Sequence, residues 1–237
     1  VTVRDSAGRP MANTKVVVRM ERHKFLFGCN LYRFNQLKDK TREKLYRQRF
    51  VDLFNLATLP FYWGLYEPTK DAPRVGPLME MALWCRSMGI QAKGHPLVWH
   101  EGVAPWQETM DLETLYQRQQ DRVFRDVHTF KNLIDFWDVV NEVVTMPDRP
   151  EPIGRLSSHI GIDTLIASAF NLARKANPDA ILLINDYRLD RHYRRSISNC
   201  LKKDVPVDAI GLQAHMHSGY WGDKKVWNIC EAFKKFK

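Results

Sequence analysis

Six short apolar segments recur along this chain, each followed by a longer helical pattern, and that alternation limits the possible folds more than any other feature. The segments are KFLFGCN (24–30), NLATLPF (55–61), QAKGHPLV (91–98), DFWDVVN (135–141), AILLIND (180–186) and VDAIGLQA (207–214). Helices are expected over 41–54, 77–88, 112–130, 162–176, 190–201 and 224–236; in the first, Leu45, Phe50, Leu53 and Phe54 fall near one face. Several strands read as nearly unbroken hydrophobic runs, as burial on both faces of a parallel sheet requires. Strand–helix alternation of this kind specifies a parallel α/β architecture.

Two parallel architectures fit. A doubly wound sheet should carry a glycine-rich phosphate turn, and no GxGxxG or GxxxxGK[ST] is present. A barrel should gather polar and aromatic residues at the strand C-termini. The chain does so repeatedly: His95, Trp99 and His100; Asn141 and Glu142; Asn185, Asp186 and Tyr187; Gln213, His215 and His217. The fold expected is therefore α/β, a (β/α)8 TIM barrel that is incomplete as given, with six βα units. Residues 24–237 would form it. Residues 1–23, with SAGRP between two short apolar runs, read as an N-terminal β-hairpin or the end of a preceding β-domain.

The bulk numbers exclude several classes. With 237 residues the chain suits one sizeable core, and it has no run of eighteen apolar residues to span a membrane. The net charge of +9 is spread over helix faces (Arg42, Lys44 and Arg47; Arg191, Arg194 and Arg195) without a nucleic-acid motif, so no nucleic-acid partner is expected. Four cysteines, at 29, 85, 200 and 230, show no CxxC spacing and read as buried free thiols. The chain opens on Val1 with no signal-like segment, which reads as an excised or processed piece.

The chemistry concentrates at strand ends. DVVNEVV (138–144) ends a buried run with Asn141 and Glu142. A carboxyl in a half-buried, aromatic-lined pocket should be held protonated near neutrality, as a general acid requires. Asn141 would hydrogen-bond a ligand hydroxyl. In GHPLVWH (94–100), His95 and His100 suggest metal ligation, but no third ligand stands at an ordinary spacing, so no metal is expected. Trp99 with His95 better suits a wall for a sugar, which offers an apolar face and a rim of hydroxyls. Gln213 and His215 in QAHMH would share one side of a strand and could orient another acid. NDY (185–187) reads equally well as turn chemistry.

GHPLVWH, DVVNE, LLINDY and IGLQAHMHSG, in that order and spacing, resemble the family 10 glycoside hydrolases, retaining endo-β-1,4-xylanases, over roughly residues 24–235. The resemblance implies that Glu142 is the acid/base of a double displacement. Asn141 and His95 would grip the sugar preceding the cut bond, with Trp99 nearby. Tyr187 would line the leaving-group side, and Gln213 and His215 would position the nucleophile. Trp63, with Glu67 and Pro68, fits the family pattern around the second strand and would join the substrate site. It also implies xylan or a related plant polysaccharide as substrate, no cofactor, and a secreted or periplasmic parent protein.

Two departures accompany the resemblance. The polar cluster that usually ends the second strand is replaced by Leu59, Pro60, Phe61 and Tyr62. The nucleophile, a glutamate ending the family's seventh strand, has no counterpart; Glu231 and Asp223, near the terminal CEAFKKFK, are poor substitutes. The chain then reads as an incomplete catalytic domain that is inactive or nearly so, with open barrel edges that invite self-association. The alternative is a non-catalytic carbohydrate-binding barrel.

Overall fold

The computed structural model describes residues 2–21 and 23–236. Six strands, β1 (Gly28–Asn30), β2 (Leu56–Pro60), β3 (Gln91–His95), β4 (Phe136–Asn141), β5 (Ile181–Asp186) and β6 (Ala209–Leu212), form one sheet in sequence order. Every neighbouring pair is parallel. The helices are α1 (Lys40–Leu53), α2 (Trp63–Tyr66), α3 (Val75–Ser87), α4 (Leu112–Thr129), α5 (Pro152–Ile160), α6 (Ile162–Ala176), α7 (Arg191–Lys202) and α8 (Asp223–Lys234). All six expected βα units are present. Short α2 and α5 are additions that periodicity does not reveal.

Local chemistry sets the helix starts. The Asp39 side chain accepts from the Thr41 and Arg42 N–H groups, Asp111 from Thr114, and Asp190 from His192, so α1, α4 and α7 each begin on an aspartate cap. The middle of the sheet holds the core: Trp137, Val139 and Val140 of β4 and Leu182 and Ile184 of β5 are fully buried, with Val123 and Val127 of α4 and Phe170 and Ala173 of α6 packed into the same cluster. This two-sided burial explains the continuous apolar runs.

The strand edges depart from expectation. β1 and β6 each pair with one strand among the described residues. They are also the shortest strands, with 3 and 4 residues where seven and eight were expected. The hairpin expected over 1–23 reduces to a single antiparallel bridge, Arg4 to Pro10, around a turn in which Asp5 accepts from the Ala7 and Arg9 N–H groups. Val1, Arg22 and Lys237 lie outside the described residues. Val16, Val17 and Val18 have strand propensity, yet they are exposed and pair with nothing regular. Propensity without a surface to pack on does not make a strand. Of the cysteines, Cys85 and Cys200 are buried as expected, whereas Cys29 and Cys230 are exposed.

One irregularity matters for the site. Between β4 and β5 the register runs Asp138↔Leu183 and then Val140↔Ile184, so Val139 is an extra residue. Strict alternation would put Asp138 and Asn141 on opposite faces. The bulge brings both to the same cleft.

Candidate active site

A cleft opens at the C-terminal ends of the strands, where a barrel places its chemistry. The β1–β3 side is aromatic. Tyr32 and Tyr62 meet edge-on at 5.9 Å and share a hydrogen bond between their hydroxyls at 3.1 Å. The Tyr62 ring lies 5.6 Å from His95 and 5.7 Å from Trp99. Four rings thus make a continuous corner suited to the C–H face of a sugar.

The β4–β6 side is polar and tightly ordered. Asn141 Oδ1 accepts from Asn185 Nδ2 at 3.0 Å and from Gln213 Nε2 at 2.7 Å. That leaves the Asn141 amide hydrogens facing the cleft, so the residue must act as a donor toward any ligand. His215 Nε2 bonds Gln213 Oε1 at 2.9 Å, completing a chain across three strands. Gly211 makes room for it, because a side-chain carbon there would collide with the Asn185 amide. Gln213 and His215 are thus joined to each other, but both lie just beyond the last residue of β6 and not on the strand.

Glu142 follows directly. Its φ is +60°, a left-handed conformation that is uncommon outside glycine. The Glu142 N–H bonds the Asn185 carbonyl at 2.7 Å, and Val144 N–H bonds Asp186 Oδ2 at 2.9 Å, so both sides of the kink are held by β5. The carboxyl lines the cleft and is mostly shielded. Beneath it, Asp186 is fully buried and its pKa is pushed up to about 6. Burial is the main cause and the neighbouring Glu142 charge adds to it, against the N–H bonds from Val144 and Arg188.

Below the sugar wall, Asp138 Oδ2 accepts from His95 Nδ1 at 2.6 Å and from Lys93 Nζ at 2.8 Å. Burial alone would raise the Asp138 pKa, but the His95 hydrogen bond and the Lys93 charge hold it below the ordinary value. With Nδ1 committed, His95 presents Nε2 to the cleft. His100 turns the other way, fully buried, and its pKa is lowered to about 4 by burial, reinforced by the Arg149 charge. Its Nε2 stands 3.7 Å from both Glu101 Oε1 and Glu142 Oε2, which gives the histidine acidic neighbours that sequence spacing did not suggest.

Two expected site residues are placed differently. Trp63 is buried: its Nε1 donates to Glu67 Oε2 at 3.1 Å, its ring meets Trp106 edge-on at 5.6 Å, and the Arg122 guanidinium lies 4.9 Å over it. It braces the loop behind the wall and does not line the cleft. Tyr187 is exposed at the turn after β5 and is not among the lining residues either. Sequence reasoning missed Tyr32, Lys93 and Asp138. For Lys93 the signal was its period-two spacing from His95 within β3.

The sequence profile of glycosyl hydrolase family 10 matches residues 19–237. The chain belongs to glycosyl hydrolase family 10. Among curated relatives it is 30% identical over 237 residues to the endo-1,4-beta-xylanase/feruloyl esterase of Xylanibacter ruminicola, covering 89% of this chain and 32% of that protein. It is 29% identical over 160 residues to the beta-1,4-xylanase of Dictyoglomus thermophilum, covering 65% of this chain and 45% of that protein. It thus spans less than half the length of these relatives. Among solved structures, native xylanase 10B from Thermotoga maritima superposes with a TM-score of 0.73 at 28% identity, covering 89% of this chain and 66% of the other. Xylanase 10B from Thermotoga petrophila RKU-1, in complex with xylobiose, gives 0.74 at 26%, covering 89% and 65%. As a family 10 fold, the six-stranded sheet corresponds to part of a (β/α) barrel.

Proposed function

We propose that this chain carries the acid/base half of a retaining endo-β-1,4-xylanase site, with Glu142 as the proton donor. The observation that supports this most directly is the pairing of Asn141 and Glu142 at the cleft. The asparagine oxygen is fully used within the protein, and the next residue is kinked so that its carboxyl faces the same space. A solved relative holding xylobiose supports xylan as the substrate class. Glu142 would protonate the glycosidic oxygen as the C1–O bond breaks, while a carboxylate on the opposite face of the ring attacks C1. In the second step Glu142 takes a proton from water, and the water oxygen displaces the enzyme carboxylate from C1. Asn141, His95 and Trp99 hold the sugar before the cut bond. Gln213 and His215 orient the nucleophile. A substrate too large to cross a membrane fits a parent protein acting outside the cytoplasm.

Retention requires a second carboxyl about 5–5.5 Å from the first. Asp138, the other carboxylate lining the cleft, is committed to His95 and Lys93. Asp223 accepts from Tyr220, and Glu231 pairs with Lys234 on α8. The 237-residue chain by itself should therefore bind glycan without turnover, which is how the alternative carbohydrate-binding barrel would also behave. Among the described residues β1 and β6 each keep one edge without a neighbouring strand, which leaves room for self-association, measurable by sedimentation over a dilution series. Calorimetric titration with xylotetraose, with product analysis of the same mixture, tests the reading. Saturable binding without shorter products, weakened about tenfold by Asn141→Ala, is expected. No binding would overturn the xylan reading, and turnover abolished by Glu142→Gln would overturn the claim of inactivity.

A further inference from the structure

The corner behind Glu142 holds a group that the acid role leaves unused. His100 is fully buried, and neither of its ring nitrogens has a hydrogen-bond partner among the described residues. A buried imidazole left this way bears the desolvation of its polar atoms uncompensated, so a partner for it would be stabilising. Two carboxylate oxygens face Nε2, Glu101 Oε1 and Glu142 Oε2, each at 3.7 Å. Ligand atoms of the three side chains all lie within 4.8 Å of one another. These separations exceed a hydrogen bond but come close to the spacing of atoms that share one ion. With metal–ligand bonds of about 2.1 Å, tetrahedral ligands stand roughly 3.4 Å apart.

We infer that His100, Glu101 and Glu142 form a binding site for a divalent transition-metal ion, with zinc the best match. His100 Nε2 and one oxygen from each carboxylate would be the ligands. One imidazole and two carboxylates suit a borderline ion such as zinc, and three protein ligands leave a fourth position for water. Calcium and magnesium favour six or more oxygen ligands, and a nitrogen at the centre of the set counts against them. The accessible member is Glu101, whose side chain is half exposed and gives an ion its way in; His100 is buried and the Glu142 backbone is held by β5. Bound zinc would hold Glu142 as a carboxylate and deny it the proton it delivers. That inhibitory consequence rests on the acid role proposed above; the binding does not.

Chelator-treated protein titrated with zinc chloride by calorimetry, and with cobalt(II) followed by its visible absorption, tests the site. One ion per chain is expected, with the intense spectrum of four-coordinate cobalt. Affinity should fall at least tenfold in Glu101→Gln and in Glu142→Gln, vanish in His100→Gln, and stay unchanged in His217→Ala. The last variant matters because His215 and His217 stack at 5.2 Å and are the rival place for an ion. Absent saturable binding, undiminished binding in Glu101→Gln, or loss in His217→Ala would each overturn the inference. Should His100→Gln fail to fold, the two glutamate variants decide. Xylotetraose binding by the same zinc-free protein is a separate readout, so its failure would count against the xylan reading alone.

Discussion

The Asp138 carboxylate and the His95 imidazole are joined at 2.6 Å across the β3–β4 boundary, and through this bond a fully buried acid orients a cleft-lining ring. Asp138→Asn keeps the shape and removes the charge that Lys93 and His95 share. Breaking a buried ion pair should cost about 3 kcal/mol near pH 7. Because the folded pKa of Asp138 is depressed, its contribution is fully present above the unfolded value of about 3.9 and is lost as pH falls from there through the lower folded value. Urea midpoints should therefore differ widely between wild type and variant at pH 7, and the gap should begin to narrow only as pH falls below about 4.

Asp186 has the opposite sign. Its folded pKa of about 6 lies above the unfolded value, so ionising it is harder in the folded protein, and stability falls as pH rises from about 4 to 6. At about 1.4 kcal/mol per unit, the fall should be of order 2–3 kcal/mol. Asp186→Asn should lose that slope while remaining folded, as chemical denaturation at pH 4 and pH 7 would reveal. A parallel slope in both proteins would assign the pH dependence elsewhere.

The tyrosine corner should matter for binding through its ring rather than its hydroxyl. Tyr62→Phe removes only the bond to Tyr32 and should bind xylo-oligosaccharides nearly as wild type. Tyr62→Ala opens the wall and should weaken binding about tenfold, corresponding to roughly 1.4 kcal/mol. Calorimetry on the two variants separates these contributions.

Gly94 tests the packing under the site. A methyl group there would overlap the Trp137 indole, which lies fully buried against the β3 backbone. Gly94→Ala should destabilise by about 2 kcal/mol and lower the melting temperature by several degrees in a calorimetric scan. An unchanged melting temperature would mean that the indole has somewhere else to go.

The six strands and their helices were legible because burial on both faces writes itself into composition, as in Val139–Val140 and Leu182–Ile184. Glu142, Asn141 and the Gln213–His215 pair were legible as polar residues ending apolar runs. The partnership of Lys93 with Asp138 was not, since 45 positions separate them and only the strand register brings them together. Trp63 misled because a tryptophan four residues before Glu67 reads the same whether it faces a sugar or donates its indole N–H to that glutamate. Val16–Val18 misled because β-branched residues look like a strand even when nothing lies alongside.

The extra residue Val139 makes β4 two half-strands with separate allegiances. Its first half, through Asp138, is tied to Lys93 and His95 on β3; its second, through Asn141, answers to Asn185 on β5 and to Gln213 just past the end of β6. Removing that residue would not merely shorten the strand. It would turn one half's polar partner inward and leave the other pointing at a helix, so sugar grip and acid placement would go out of phase together. The spacing of DVVNE is thus a phase setting as much as a list of side chains, and no substitution at its five positions could restore what a one-residue deletion takes away.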